Sequence, residues 1–537
     1  MTSVKKRLCV VGAGASGLPS IRHALLYDFD VVCYEGQSDI GGLWRYREEA
    51  TEEGSVMRST IVNSSKEFSA YSDFPPDADE SNYMHNSRVL VYFRKYAEHF
   101  DLNRHIRLNT TVTSIVRSDD YAETGKWIVT IRDENNSTSS STFDAVLLCT
   151  GHHWHPSRPP PFNGEEKFKG KVIHSKEYRH SDDLVGKTVV VVGMGNSAAD
   201  IAVELSRVAK QVYMVAHRGA WVRPRLGDGG RPRDCQQNTR LTMQFNKLLP
   251  AWLREARAQQ WLNRRVDHAG FGLKPNHEVI NCIPTTSDEL PGRLASGTIK
   301  LVREIETFTE YGCSFADGII AEKADQVILC TGFSFSFPMI EDGELIKVKD
   351  NDVDLYKFIF PVNLQHDTLA IVGLVQGLII QESEMQARVA LDVIAVGTKL
   401  PTMVERKEDV DRKRERIRRR FVNSPRYTFQ VDHIPYLDEL AEVIDCTPPS
   451  WTSYIFSDPP LALALLTAPI GPYVYRLRGP HAWDGARDAI VGIEDRIAKG
   501  NYRNATFNRS SVLTGILYPF IVAIGLFLAL IIALMFL

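Results

Sequence analysis

Residues 7–17, "RLCVVGAGASG", with "LPSIRHALLYDF" (18–29) and "DVVCYE" (30–35) behind them, decide the fold. An apolar β-forming run enters a glycine turn, a segment of helical periodicity follows, and a second β run closes the unit, the order of a dinucleotide-binding strand–helix–strand. Gly12, Gly14 and Gly17 allow the tight turn, the close approach of backbone to a pyrophosphate and the packing of helix on strand, while Ala15 and Ser16 bring amides to the helix N-terminus. Glu35 ends the second strand, eighteen residues past Gly17. A carboxylate there accepts hydrogen bonds from a free ribose and repels a 2'-phosphate, so the first site is expected to hold FAD or NAD and not NADP.

The same grammar returns over residues 187–218, "KTVVVVGMGNSAADIAVELSRVAKQVYMVAHR". Gly193, Gly195 and Ala198 form the second turn, Asn196 and Ser197 open its helix, and Arg218 stands where the first unit has its acid. An arginine suits a 2'-phosphate, and the second site is expected to hold NADPH. Closing strands follow each unit, "DAVLLCTG" (144–151) and "DQVILCTG" (325–332), and Gly12 to Gly193 and Gly151 to Gly332 are both 181 residues apart. Two similarly built modules are expected. Proline-rich "HHWHPSRPPPFNG" (152–164) reads as the crossover between them. Residues 221–291 read as an irregular helical insert, either a lid, a membrane-facing surface or packing bulk, and 404–420 as a charged, solvated helix with Glu408–Arg412 and Glu415–Arg419 pairs.

At 537 residues the chain is too long for one core, and its formal net charge of -3 offers no field for nucleic acid. The eight cysteines include no CxxC pair, which indicates reduced protein and leaves a flavin disulfide reductase without its redox pair. His152, His153 and His155 lack a fourth ligand, and no metal centre is expected. The first residues run from a few charges directly into a strand, with no room for a signal peptide. Residues 511–537 carry no charge and are expected to form a single transmembrane anchor. Arg503 and Arg509 before it would keep the catalytic body cytosolic.

One stretch stands between the fingerprints. "FKGKVIHSKEY" (168–178) fits the pattern FxGxxxHxxxY, and with it come "DIGGLWRY" (39–46), "VNSSKEFSAYSDFP" (62–75), "YMHNS" (83–87), "CTGHH" (149–153), "GNSAADIA" (195–202) and "CTGFSF" (330–335). On these motifs the chain resembles the flavin-containing monooxygenases, of the membrane-anchored animal type, over essentially its whole length. The resemblance implies an α/β fold of two Rossmann-like dinucleotide-binding domains, the NADPH domain inserted in the FAD domain. Residues 1–155 and 333–445 would form the FAD domain, 156–332 the NADPH domain, 446–510 a C-terminal extension and 511–537 the anchor.

It further implies a reaction in which NADPH reduces FAD, oxygen adds to the flavin as a hydroperoxide, and one oxygen atom passes to a soft nitrogen or sulfur nucleophile. Asn63 would be the active-site side chain, Leu43, Trp44, Asn63 and Ser64 would line the FAD site, and Ser197 would help hold NADP. His174 would position the domains. The implied partners are a small nucleophilic substrate, molecular oxygen and the lipid bilayer, with the endoplasmic reticulum as the expected location and a homo-oligomer left open. Tyr178-Arg179 stands where Baeyer–Villiger enzymes carry Trp-Pro, and Val389 where many relatives place tryptophan. Ketone oxygenation and uncoupled production of hydrogen peroxide stay open as alternatives.

Overall fold

The protein is described by a computed structural model over residues 5–51, 53–153 and 155–501. Its frame is two five-stranded parallel sheets of matching layout. In the first, the order across the sheet is Leu369–Ile371, Ala145–Leu148, Arg7–Val11, Asp30–Tyr34 and Ile106–Arg107. In the second it is Lys171–His174, Gln326–Leu329, Thr188–Val192, Gln211–Val215 and Ile299–Val302. Strands that begin at Arg7, Asp30 and Ala145 have counterparts beginning at Thr188, Gln211 and Gln326, which preserves the 181-residue offset in three dimensions.

Each central strand is apolar throughout because both faces of a parallel sheet are covered. Leu8 and Val10 face a core with the helices Gly17–Leu26 and Ile379–Val396, whereas Cys9 and Val11 face a core built on Trp127, Val129 and Phe143. Those last residues belong to the antiparallel meander Thr111–Arg117, Trp127–Arg132 and Thr138–Phe143. The second sheet repeats the arrangement, with Val189 and Val191 against the helix Asn196–Leu205 and Val190 against the meander Ile305–Phe308, Cys313–Phe315 and Ile320–Ala321.

The fifth strand distinguishes the modules. The first sheet takes Leu369–Ile371 from beyond the second module, and the second takes Lys171–His174 from before its own fingerprint. The chain therefore crosses twice between modules. The two crossings, His155–Pro156 and Phe333–Ser334, pair antiparallel. "FKGKVIHSKEY" is thus an edge strand of the second sheet. Phe168 meets Phe308 at 4.9 Å, and a side chain on Gly170 would collide with the Ala324 carbonyl at 2.8 Å. His174 ends the strand, fully buried, with its ring 5.1 Å from that of Phe333. Tyr178 is buried in the core of the second module.

The insert contains the helices Arg233–Gln237, Arg240–Leu248 and Ala251–Asn263 and is closed at its base by parallel pairing of Val222–Arg223 with Thr285–Thr286. The charged helix is Met403–Arg420, started by a Thr402–Glu405 capping box. Glu415 pairs with Arg419 as expected, but Arg412 takes Asp409 at i,i+3 in place of Glu408. Residues 446–501 return to the first module, where Arg476 reaches Asp73 at 3.3 Å and Arg496 reaches Glu67 at 2.8 Å. Among the described residues no helix is long and apolar enough to cross a membrane; the anchor expected over 511–537 lies outside them.

Candidate active site

Gly12 and Gly17 of the first fingerprint sit in contacts only glycine permits. Gly12 sits at φ +98°, and a Cβ there would lie 2.8 Å from the Cys149 carbonyl oxygen; on Gly17 it would lie 1.8 Å from the Gly12 carbonyl. Gly14 answers to a different neighbour, since its absent side chain points at the Gly42 Cα, 3.5 Å away. The turn therefore faces "DIGGLW", where Gly41 (φ +109°) and Gly42 (φ +53°) take conformations unsuited to other residues. Leu43 is exposed on the short turn Gly42–Trp44, while Trp44 packs on the core.

Glu35 is buried at the end of its strand. Its Oε2 accepts the Ala13 N–H at 2.7 Å and its Oε1 that of Gln37 at 2.9 Å. Burial raises its pKa, and the two amides with Arg47 and Arg45 oppose that rise. Nη1 of Arg45 is buried without a partner among the described residues. Ala15 accepts the Tyr71 hydroxyl through its carbonyl, and Ser16 is buried against Gly373, where a Cβ would lie 2.1 Å from the serine Oγ. A backbone-lined cradle, a carboxylate at one end and an unpaired guanidinium nitrogen fit the pyrophosphate and ribose of FAD.

At the second fingerprint Gly193 (φ +124°) repeats Gly12, with a Cβ 2.6 Å from the Cys330 carbonyl oxygen. Ala198 is fully buried, as the third position requires. Ser197 is exposed at the helix N-terminus, and the part-buried Asn196 accepts the Thr286 N–H through its Oδ1 at 2.9 Å. Arg218 is exposed beyond Gln211–Val215 and meets no carboxylate among the described residues, whereas its neighbour His217 pairs with Glu304. An unpaired arginine at that strand end, beside an open helix N-terminus, fits NADP.

The modules meet at Asn63. Its Oδ1 accepts from Nη2 of Arg225 at 2.7 Å, which leaves the amide N–H groups as the donors. Arg225 belongs to the insert and is itself tied to Asp288, by its backbone N–H at 2.9 Å and its Nη1 at 3.0 Å. The next residues are gripped in the same way, Ser65 N–H by Asp234 at 2.6 Å and the Ser64 hydroxyl by Ser69 at 2.7 Å. Asp200, on the second helix, lies 3.9 Å from Arg225; burial pushes it up to about 6 against the pull of that guanidinium. Sequence reasoning did not find Arg225, Asp234 and Asp288, which are more than 160 residues from Asn63 and obey no spacing. It also passed over Gly373, although "LAIVG" (369–373) is an apolar strand run ending in glycine.

Two linked Rossmann-like modules, one ending in an acid and one in an arginine, with a shared loop at their junction, define a flavoprotein oxidoreductase. The chain belongs to the flavin-binding monooxygenase-like family, whose family model matches residues 5–536. It is similar to flavin-containing monooxygenase 5 of Rattus norvegicus, 43% identical over 499 residues covering 92% of this chain and 93% of the relative. The N-oxide-forming dimethylaniline monooxygenase 2 of Oryctolagus cuniculus is 40% identical over 498 residues, 92% of each chain. Among solved structures, the S-allyl-L-cysteine S-oxygenase of Allium sativum shares the fold at TM-score 0.63 and 21% identity over 93% of this chain and 99% of that one. An oxidized steroid monooxygenase bound to NADP does so at TM-score 0.60 and 18% identity, over 82% and 98%. The protein is an FAD- and NADPH-dependent monooxygenase.

Proposed function

We propose that this monooxygenase oxygenates soft nitrogen and sulfur nucleophiles, small amines and thioethers, with its catalytic body held on the cytosolic side of an endoplasmic-reticulum membrane by residues 511–537. Bound FAD, reduced by NADPH, would activate molecular oxygen, one atom of which passes to the substrate while the other leaves as water. The chain's own residues bind, orient and shield. Glu35 takes the free ribose of FAD and Arg218 the 2'-phosphate of NADPH. Asn63 presents a neutral donor whose pKa lies far outside the working range, so it can hydrogen-bond near the reacting oxygen without releasing a proton there. Arg225 fixes that amide by engaging its carbonyl. Asp234 and Asp288 tie the loop to the insert and keep the arginine from drifting.

The observation that carries the reading is the Asn63–Arg225 contact at 2.7 Å, which leaves the Asn63 amide N–H groups free to donate and supports its role as the neutral donor. Transfer of oxygen to a lone pair asks for little more from the protein. The N-oxide-forming relative and the Tyr178-Arg179 ending of the edge-strand motif support nitrogen and sulfur substrates. Purified full-length protein given NADPH, oxygen and, in turn, a tertiary aromatic amine, a thioether and a cyclic ketone tests it. The N-oxide and sulfoxide are expected as main products; a lactone in excess of both would establish ketone oxygenation instead. Peroxide equal to the NADPH consumed, with no organic product, would establish an oxidase.

A further inference from the structure

The middle glycines of the two turns both have room for a Cβ at ordinary contact distance but face different neighbours. Gly193 is demanded by the fold, but Gly195 is not: at φ -78° and ψ -179° it occupies extended backbone open to any residue. A Cβ on it would meet nothing nearer than Nη1 of Arg426, at 3.8 Å. The missing side chain therefore leaves a gap between the N-terminus of Asn196–Leu205 and a guanidinium. At the first turn the corresponding gap beside Gly14 is bounded by the backbone of Gly42.

Arg426 comes from the chain that follows the helix Met403–Arg420, after the return to the first module. Its segment is tied on both sides. Val422 N–H donates to the Asn281 carbonyl at 3.1 Å, and Ile283 N–H to the Tyr427 hydroxyl at 3.4 Å. Three residues on from Ile283, Thr286 holds Asn196. Toward the first module, Gln376 N–H donates to the Phe429 carbonyl at 3.0 Å. Tyr427 stacks on Phe421 with centroids 5.3 Å apart and rings 14° from parallel. The arginine is thus held against the second turn by a strap anchored in both modules.

Its charge meets no carboxylate among the described residues, only the face of Tyr427, with the guanidinium carbon 5.6 Å from the ring centroid. Arg406, Arg412, Arg414, Arg419 and Arg420 of the preceding helix all hold carboxylates, whereas Arg426 is part-buried and forms no ion pair among the described residues. A guanidinium in that state, facing a glycine that the fold does not require, is the geometry of a clamp for a phosphate oxygen.

We propose that Arg426 is a further NADPH-binding residue, pairing with the pyrophosphate across Gly195, so that the dinucleotide joins a turn of one module to a cation carried by the other. The proposal rests on the second fingerprint holding NADP. Because the pyrophosphate is common to NADP and NAD, Arg426 adds affinity for both, while Arg218 distinguishes them.

Binding of NADP+, NAD+ and 2'-AMP to full-length, FAD-loaded protein, measured calorimetrically with FAD content read from the flavin absorbance, tests this. Arg426→Gln should weaken NADP+ and NAD+ by the same factor, about ten- to a hundred-fold, the range of a hydrogen bond to a charged group. Affinity for 2'-AMP, which has no pyrophosphate, should hold, and Arg426→Lys should recover part of the loss. Gly195→Val, which the backbone tolerates, should abolish NADP+ binding. If Gly195→Val binds NADP+ normally, the second turn is not the site and the underlying reading falls. If it blocks binding while both Arg426 variants bind within twofold of wild type, the assignment of Arg426 alone is wrong.

Discussion

Glu35 and Arg218 occupy the same place in two modules and meet opposite demands. Glu35 is fixed by two backbone amides and buried, whereas Arg218 is exposed with no described carboxylate beside it. Arg218→Ala should raise the KM for NADPH about ten- to a hundred-fold and leave that for NADH within about twofold. Initial rates with both nucleotides check this, and equal losses would show that Arg218 does not read the phosphate. Asn63 makes a different kind of claim. Asn63→Asp keeps an acceptor for Arg225 but removes the N–H donors and adds a negative charge, so hydrogen peroxide per NADPH consumed should rise severalfold while FAD content stays level. An unchanged peroxide ratio would remove Asn63 from the reaction. Glycines and strand-end charges were legible in sequence because they serve the local geometry of one turn. Arg225 and Arg426 were not, because each acts on a loop that only tertiary folding brings near.

The edge strand Lys171–His174 is the element whose role the sequence pattern obscured. Its motif lies between the fingerprints and reads as a linker, yet it completes the second sheet by pairing with Gln326–Leu329. Parallel neighbours can be far apart in sequence, so periodicity finds a strand without finding its partner. The duplicated offset made the other pairings legible, since a repeat carries its own register. Burial at the end of this strand gives the element a pH signature. Free histidine titrates near 6.5, and burial brings His174 down to about 4. Between those values the unfolded chain binds a proton that the folded chain refuses, so this contribution is whole above about pH 6.5 and is lost as pH falls toward 4. The slope is at most about 1.4 kcal/mol per pH unit. Thermal unfolding from pH 7 to 4.5 should therefore steepen in wild type relative to His174→Gln; parallel curves would show that His174 is not a titrating element of stability.

At the scale of the molecule, the C-terminal extension links the expected anchor to the active-site loop. Removing 511–537 should move the protein from the membrane fraction to the supernatant on ultracentrifugation while FAD binding survives, because both sheets are complete before residue 372. Retention in the pellet would assign membrane binding to the body. The last described helix, Ile493–Asn501, carries Arg496, whose Nη2 and Nε meet the Glu67 carboxylate at 2.8 and 3.0 Å, joined by the Tyr473 hydroxyl at 3.0 Å. Glu67 is fully buried four residues past Asn63. A buried carboxylate stripped of its cation destabilises far more than the intact pair stabilises, so Arg496→Met should cost about 3–5 kcal/mol. The loss should appear as a lower unfolding midpoint and as weaker FAD retention, since the strained segment is the one that carries Asn63 and Ser64. Glu67→Gln combined with Arg496→Met removes both charges of the pair together and should recover most of both. If the double variant is as unstable as the single one, shape and not charge holds the extension to the loop, and the anchor's end of the chain is coupled to the active site by packing alone.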